Sequence, residues 1–292
     1  MLQRGLSAVM PTGRRPLRRR EGWVKLLALV ILVPGALVVL APFAWMVSVS
    51  FEHLHQLITF PPVLIPHPFT FAPWVQGFTS MPFLQYFANS LFVALMSVAG
   101  GCLSTSLAGY AFARLRFPHK NLVFFCVLSM MMIPSWVTLI PQFVLFKDLG
   151  WINTFYPLWV PQWFGVGAFF IFLFRQFFLT IPEDIFEAAR LDGCGYLTSY
   201  TRILVPLSLP AFASSAILMF LAQWQDFVGP LIYINGYSKY TLPLALANMQ
   251  ATLGASPWNQ IMAMAVLASI PPIVLFFVAQ RYIITGIVVT QK

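Results

Sequence analysis

Charge is scarce in this chain. Lysine, arginine, aspartate and glutamate make up 9% of its 292 residues, whereas hydrophobic residues make up 59% and the mean hydropathy is +0.80. A soluble domain carries about 25% charged residues, because polar groups must cover its surface. The composition therefore excludes a soluble globular protein. It also excludes a disordered chain, which needs low hydrophobicity and high charge.

Cysteine and histidine are equally sparse. The three cysteines, Cys102, Cys126 and Cys194, form no CxxC pair and no disulfide framework, so we expect reduced, buried thiols. Among the four histidines only His53 and His55 lie close in sequence, and nothing nearby completes a zinc set. We predict no metal site and place this pair in a solvated loop at the membrane edge.

Two kinds of catalytic machinery are missing from the sequence. No phosphate-binding loop of the form GxxxxGK[ST] occurs, so the chain cannot itself be an ATPase. The apolar segments contain no cluster of histidine, aspartate and glutamate that would support a membrane-embedded enzyme. We therefore predict no catalytic residue and no cofactor in this chain.

Long apolar runs make up most of the sequence. A bilayer-crossing helix needs about 20 apolar residues, and internal proline is tolerated in such helices. Six stretches qualify, and they predict an all-α polytopic membrane protein. They are about Leu26–Phe51, Asn89–Phe112, Leu122–Phe146, Leu158–Phe178, Ile203–Ile234 and Ile261–Ile284.

The basic residues indicate the orientation. Fifteen of the 17 fall in the N-terminal tail, in the loops after spans two and four, and at the C-terminal end. Because basic residues favour the cytoplasmic side, both termini are predicted to be cytoplasmic. This one-sided placement, with a net charge of +9, indicates contact with anionic lipid headgroups rather than nucleic acid.

The same pattern predicts three regions. Residues 1–25 form a basic cytoplasmic tail, residues 26–284 form the transmembrane domain, and residues 285–292 form a C-terminal cytoplasmic tail. A basic stretch before an apolar run also begins a signal peptide. The first apolar run is long for that, and no clear small-residue cleavage site ends it, so we interpret it as a retained span.

Span two has a face of small residues spaced four apart, namely Ser97, Gly101, Thr105 and Gly109. Small residues at this spacing let membrane helices approach closely. We expect this face to pack within the chain, and a subunit interface is the alternative.

A cytoplasmic loop, residues 180–202, concentrates the negative charge. Four of the eight acidic residues lie between positions 183 and 192. Thr180 and Glu183 have the spacing of a capping box, Pro182 suits a first helical turn, and Gly193 suits a helix end. The sequence predicts a short polar helix that either docks a partner or forms an ordinary surface.

One polar group lies near the end of span five. Trp224, Gln225 and Asp226 combine an aromatic ring, an amide and a carboxylate, which is the chemistry that stacks on sugar rings and bonds their hydroxyls. We expect these three side chains to face a substrate path. The alternatives are that Asp226 lies in water at the outer membrane edge, or that it serves proton coupling.

The cytoplasmic loop also resembles a known signature. Glu187-Ala188-Ala189, Gly193, Ile203 and Pro206 have the residues and spacing of the EAA loop of binding-protein-dependent ABC importers, although Val205 replaces the usual leucine. The segments Tyr110–Pro118, Trp224–Leu231 and Thr241–Leu244 resemble the carbohydrate branch of that family, in particular its second, maltose-type permease. The family's common glycine-rich C-terminal ending is absent.

The resemblance implies a type I ABC importer permease fold in a bacterial-type inner (plasma) membrane. It also implies a second permease subunit as heterodimer partner, two ATP-binding subunits that hold ATP and Mg²⁺, and an external solute-binding protein. The residues that it assigns to ATPase coupling are Glu187, Ala188, Ala189, Arg190, Asp192, Gly193, Ile203 and Pro206. In the outer segment 235–259, it assigns Gln250 to contact with the binding protein.

The implied function is ATP-driven import of a sugar, a disaccharide or oligosaccharide. Permeases for glycerol phosphate or polyols are similar, so these solutes remain alternatives. An ATP-independent carrier is a further alternative, and it would lack an ATPase partner.

Overall fold

The computed structural model describes residues 18–61, 64–252 and 257–289, and in these ranges it is helical with no strand. This confirms the all-α prediction. The main helices are Arg18–Val49, Ala72–Ser80, Phe83–Arg114, Lys120–Ser129, Ser135–Asp148, Tyr156–Trp159, Ala168–Thr180, Glu183–Leu191, Tyr196–Ser199, Val205–Leu207, Leu209–Trp224, Val228–Tyr233, Leu242–Thr252 and Trp258–Val289.

Six candidate spans emerge if each of two bent helix pairs counts as one. Four spans are single candidates: span one (Val24–Val49), span two (Phe83–Arg114), span four (Tyr156–Thr180) and span six (Trp258–Val278). Span three joins Lys120–Met132 to Ser135–Asp148 with a bend of 97°. Span five joins Tyr196–Leu207 to Leu209–Trp224 with a bend of 80°. The predicted number of spans therefore holds.

The bends correct two predicted spans. Span three breaks at Ile133, which is extended because it precedes Pro134, and a residue before proline disfavours the helical region. The predicted helix over Ile203–Ile234 is wrong. The helix after the 80° bend runs from Leu209 to Trp224, and Val228–Tyr233 is a separate short helix.

The ends of the chain and the outer segment also differ from expectation. The first helix already begins at Arg18, inside the predicted tail, and residues 1–17 lie outside the described ranges. The last helix continues to Val289. The outer segment 235–259 contains the helix Leu242–Thr252, and its residues 253–256 lie outside the described part.

The small-residue face of span two packs inside the chain, as expected. Ser97, Gly101, Thr105 and Gly109 are all buried. A Cβ atom at Gly109 would lie 2.8 Å from the Cβ of Phe174 and 3.1 Å from the backbone nitrogen of Arg175, both in span four. A Cβ atom at Gly101 would lie 2.8 Å from the sulfur atom of Met219 in span five. The face therefore belongs to the core, and the subunit-interface alternative is wrong.

Buried side chains form separate clusters toward the two membrane surfaces. The inner cluster, which bears on function, contains Tyr110, Ala113, Phe174, Phe178, Ile181, Phe186, Tyr200, Leu204 and Ala211. Its members come from spans two, four and five and from the helix Glu183–Leu191. The inner cluster therefore packs the loop segment and three spans against one another.

Span one stands apart from this core. None of the residues in its most apolar window is buried, and it packs mainly along span six. Its side chains, such as Val38 and Val39 at 72% and 77% exposed, suit lipid or a neighbouring membrane protein.

Gly109→Ala tests the packing between spans two and four. The added methyl group meets backbone as well as side-chain atoms, so we expect a loss of about 1–3 kcal/mol of stability. Thermal unfolding of the detergent-purified chain measures it. Gly35→Ala is the matched control, because nothing lies within 4 Å of a Cβ at that position. Equal unfolding temperatures for the two variants would contradict the packing assignment.

Glu52, on the outer side just beyond span one, is a buried carboxylate. It is 2% exposed, and its Oε1 has no hydrogen-bond partner among the described residues. Burial raises the pKa of the Glu52 carboxyl above its usual value, because a charge is poorly solvated there. Folding therefore makes the carboxyl harder to ionise than it is in the unfolded chain.

Glu52→Gln tests this burial through pH dependence. A raised pKa contributes stability at low pH that is lost as the pH rises through the raised value. The uncharged glutamine should therefore raise the thermal unfolding temperature at about pH 8 and change it little at about pH 4. Glu187→Gln, at an exposed carboxylate in the middle of its helix, is the control with no expected shift. The same shift at both pH values would contradict the assignment.

Candidate functional site

The cytoplasmic loop forms the predicted short helix, Glu183–Leu191, here named the loop helix. Glu183 and Asp184 lie in its first turn and Arg190 in its last, which complements the helix dipole. The predicted capping box is wrong: Thr180 still belongs to span four, and its hydroxyl donates to the carbonyl of Phe177 at 2.7 Å. Pro182 precedes the first helical turn instead of occupying it.

The end of the loop helix is the predicted glycine turn. Gly193 has a φ of +79°, a conformation that favours glycine. The N–H of Cys194 donates to the carbonyl of Ala189 at 2.9 Å, and the N–H of Gly193 donates to that of Arg190 at 3.0 Å. These two bonds form a Schellman motif. Nothing lies within 4 Å of a Cβ at Gly193, so its role is conformational.

The loop helix has two different faces. Phe186 and Ala189 are buried against the inner cluster, whereas Glu187 and Ala188 are exposed. Leu191, one turn beyond Glu187, is 90% exposed. Arg190 and Asp192 are also exposed. One side of the loop helix thus packs against the spans, and the other side is open.

The other two signature residues lie where the chain enters span five. Ile203 belongs to a π-helical turn, Tyr200–Leu204, and packs half-buried against the inner cluster. Pro206 lies exposed in the next turn, Val205–Leu207, just before the 80° bend. Such π-helical turns are frequent at functional sites because they interrupt the regular helix ladder.

Arg114 fixes the loop helix to the spans, a role that sequence reasoning missed. Its guanidinium donates to the carbonyls of Phe178 and Ile181 at the end of span four, where helix carbonyls lack a full set of helical partners. It also lies 4.5 Å from the centre of the Phe186 ring, a cation–π contact to the buried face of the loop helix. The sequence shows an arginine in the last turn of span two. It does not show which groups that arginine contacts, because they lie more than 60 residues further along the chain.

Two hydroxyl contacts support the same region. The hydroxyl of Tyr110 donates to the carbonyl of Tyr196 at 3.1 Å, and the hydroxyls of Ser106 and Tyr200 lie 2.7 Å apart. Both pairs join span two to the segment that follows the loop helix. The ion pair between Arg116 and Glu183, 4.0 Å apart and exposed, contributes little by comparison.

The structure does not bring the three predicted substrate-path residues together. Trp224 is 4% exposed, and its indole N–H donates to the carbonyl of Ala268 in span six at 3.0 Å, so it packs in the core. Trp224 and Gln225 border a cavity of about 500 Å³ beside span six. Asp226 borders a separate cavity of about 710 Å³. Its Oδ1 accepts a hydrogen bond from the N–H of Gly229 at 3.1 Å.

Gln250 is exposed near the end of the outer helix Leu242–Thr252, on the side opposite the loop helix. The His53 and His55 rings are stacked 5.6 Å apart. No group of three histidine, cysteine, aspartate or glutamate side chains that could hold a metal occurs within the described ranges.

Arg114→Ala should loosen the loop helix. The substitution removes the hydrogen bonds to span four and the contact with Phe186, so we expect faster amide hydrogen exchange across Glu183–Cys194. Hydrogen exchange with mass spectrometry measures this. Arg116→Ala is the matched control, because that side chain is 92% exposed. Unchanged exchange in Arg114→Ala would show that the arginine does not fix the loop helix.

Known transport proteins resemble this chain in sequence. Residues 101–289 match the profile of a family described as "binding-protein-dependent transport system inner membrane component". The trehalose/maltose transport system permease protein MalG of Thermococcus litoralis is 29% identical over 92% of this chain and 97% of its own length. The sn-glycerol-3-phosphate transport system permease protein UgpE of Agrobacterium fabrum is 31% identical over 92% and 97%.

Solved structures agree on the fold. A chain from a bacterial ABC transporter involved in the import of the acidic polysaccharide alginate superposes with a TM-score of 0.80, at 23% identity over 91% of this chain and 98% of that one. A chain from the alginate transporter in complex with its alginate pentasaccharide-bound periplasmic protein gives a TM-score of 0.64 at 16% identity. The chain is a transport component rather than an enzyme, has the type I ABC importer permease fold, and belongs to the family of binding-protein-dependent transport system inner membrane components.

Proposed function

We propose that this chain is the permease subunit of an ATP-driven importer in a bacterial-type inner (plasma) membrane, carrying a carbohydrate delivered by an external binding protein. The observation that carries the proposal is the two-faced loop helix. Its outer face presents Glu187, Ala188 and Leu191 to the cytoplasm, and its inner face is packed into the spans. A helix of this kind transmits movement from a cytoplasmic partner.

The partner is a pair of ATPase subunits that bind ATP and Mg²⁺. When they close on ATP, they move the loop helix, and Arg114 with the inner cluster passes the movement to spans two and four. Span five follows because Tyr200 and Leu204 belong to the same cluster. ATP shifts the access equilibrium because it binds the two conformations with different affinity.

The second permease subunit and the binding protein contact other surfaces of the chain. A second permease subunit completes the transmembrane unit. The binding protein meets the outer face, where Gln250 is exposed. The neighbouring alginate transporter was solved with its periplasmic protein bound, which supports this arrangement.

The proposed solute is a disaccharide or oligosaccharide. The trehalose/maltose permease among the relatives supports a sugar, and the glycerol-3-phosphate permeases support the alternative of a phosphorylated polyol. Each of these two resemblances extends over 92% of this chain.

Glu187→Lys and Gly193→Trp should uncouple transport. The first reverses the charge on the docking face, and the second strains the turn at φ +79° and adds bulk there. We expect ATP-driven uptake to fall by at least about tenfold, because a charge reversal or a misplaced helix at an interface costs more than about 1.4 kcal/mol. Uptake by proteoliposomes measures this, with membrane insertion checked separately.

Gly150→Trp is the matched control. Gly150 also has positive φ, +69°, and open surroundings, but it lies on the outer side after span three. Normal uptake in both loop-helix variants would overturn the docking assignment. If the tagged chain, isolated in mild detergent, never brings down an ATPase with a phosphate-binding loop, the importer proposal itself is wrong.

A further inference from the structure

The interruptions of three spans border one cavity. Span three breaks after Met132, span four contains the tight turn Val160–Phe164 followed by Gly165 with φ +72°, and span five ends at Trp224. The cavity of about 710 Å³ is lined from all three places, by Ser135 and Gln142, by Gln162 and Val166, and by Gln223 and Asp226. Irregular backbone at membrane depth is tolerated where it lines a cavity, and broken helices build substrate sites in transporters.

The polar groups of this cavity are available to a ligand. Within the described residues, the side-chain amides of Gln162 and Gln223 hydrogen-bond to no other group. Gln142 makes one long bond, from its amide to the hydroxyl of Thr138 at 3.3 Å. Amide groups without partners, such as those of Gln162 and Gln223, are costly against lipid. The cavity therefore faces an aqueous route rather than the hydrocarbon.

The charge of the lining selects the ligand class. No lysine, arginine or histidine lines the cavity in the described part of the chain, and Asp226 supplies a carboxylate. Among those residues Asp226 forms no salt bridge. Phosphate and carboxylate ligands need cationic donors, and a carboxylate repels them. Amides and a carboxylate bind hydroxyls well, and Trp136, Trp151 and Tyr233 add rings for a sugar face.

We infer that this chain itself contacts the transported solute in this cavity, and that the solute is a neutral polyhydroxy compound, a sugar or polyol. The inference rests on the proposed import function and narrows its substrate. The volume lies within the range of about 300–1,000 Å³ typical of small-molecule sites. A phosphorylated polyol and an acidic oligosaccharide are excluded by the same charge argument.

Thiol labelling tests the contact directly. In a background with serine at the three native cysteines, Gln162→Cys and Gln223→Cys are made separately, and the purified transporter complex is treated with a water-soluble methanethiosulfonate. We expect both cysteines to react and expect maltose or trehalose to slow the reaction several-fold. Gln176→Cys, exposed in the same span as Gln162 but outside the cavity, should react at a rate that sugar does not change. Absence of labelling at 162 and 223, or protection by sn-glycerol 3-phosphate, overturns the inference.

Uptake separates this inference from the proposed function. Proteoliposomes with the complete transporter and its binding protein are tested with trehalose, maltose, maltotriose and mannitol, and with sn-glycerol 3-phosphate and an alginate trisaccharide. We expect uptake of a neutral solute, slowed about 3- to 10-fold by Gln162→Leu or Gln223→Leu through loss of one hydrogen bond. Gln176→Leu should leave the rate unchanged.

The two possible failures look different. ATP-driven uptake of an anionic solute, or unchanged uptake in both cavity variants, overturns the substrate inference and leaves the importer function standing. If the assembled transporter hydrolyses ATP but takes up none of the solutes, neutral or anionic, the proposed function fails and the inference fails with it.

Discussion

The half-buried guanidinium of Arg114 is the contact on which the functional arrangement depends. It joins the end of span two to the last carbonyls of span four and to the Phe186 ring of the loop helix. Hydrogen bonds from a charged donor to such helix-end carbonyls are stronger than bonds between neutral groups. The inner cluster then extends the connection to span five through Tyr200 and Leu204. The loop helix is therefore in contact, directly or through this cluster, with three spans.

Close helix packing makes that connection possible. Lipid tails are as apolar as leucine, so membrane helices associate through close contact rather than through the hydrophobic effect. Gly109 permits the contact, because it has no side chain. A Cβ atom at this position would lie only 2.8 Å from the Cβ of Phe174 in span four. Gly101 does the same for span five. Span two thus forms a scaffold of 32 residues, Phe83–Arg114, against which the interrupted spans are placed.

The regular spans and the interrupted spans have different places in the structure. Spans two and six are long, regular helices, whereas spans three, four and five are broken, bent or tightened. The breaks lie around the 710 Å³ cavity, and the other irregular turn, Tyr200–Leu204, lies between the loop helix and span five. Regular helices satisfy their own backbone groups and resist change, while interruptions give carbonyls, amides and hinges to a site. The relatives include a trehalose/maltose permease and sn-glycerol-3-phosphate permeases, so the fold alone does not determine the solute.

The sequence by itself determined the class, the orientation and the loop helix. Apolar runs, one-sided basic residues, the small face of span two and the acidic stretch that ends at Gly193 are local patterns, and each dictates local structure or one helix face. Only the tertiary structure decided which residues of different helices contact one another. Thr180 belongs to span four and not to the loop helix, and Trp224 turns into the core while Asp226, two residues on, lines a cavity. Arg114 finds carbonyls 64 and 67 residues away. Such pairings depend on how the helices pack and bend, which no local pattern specifies.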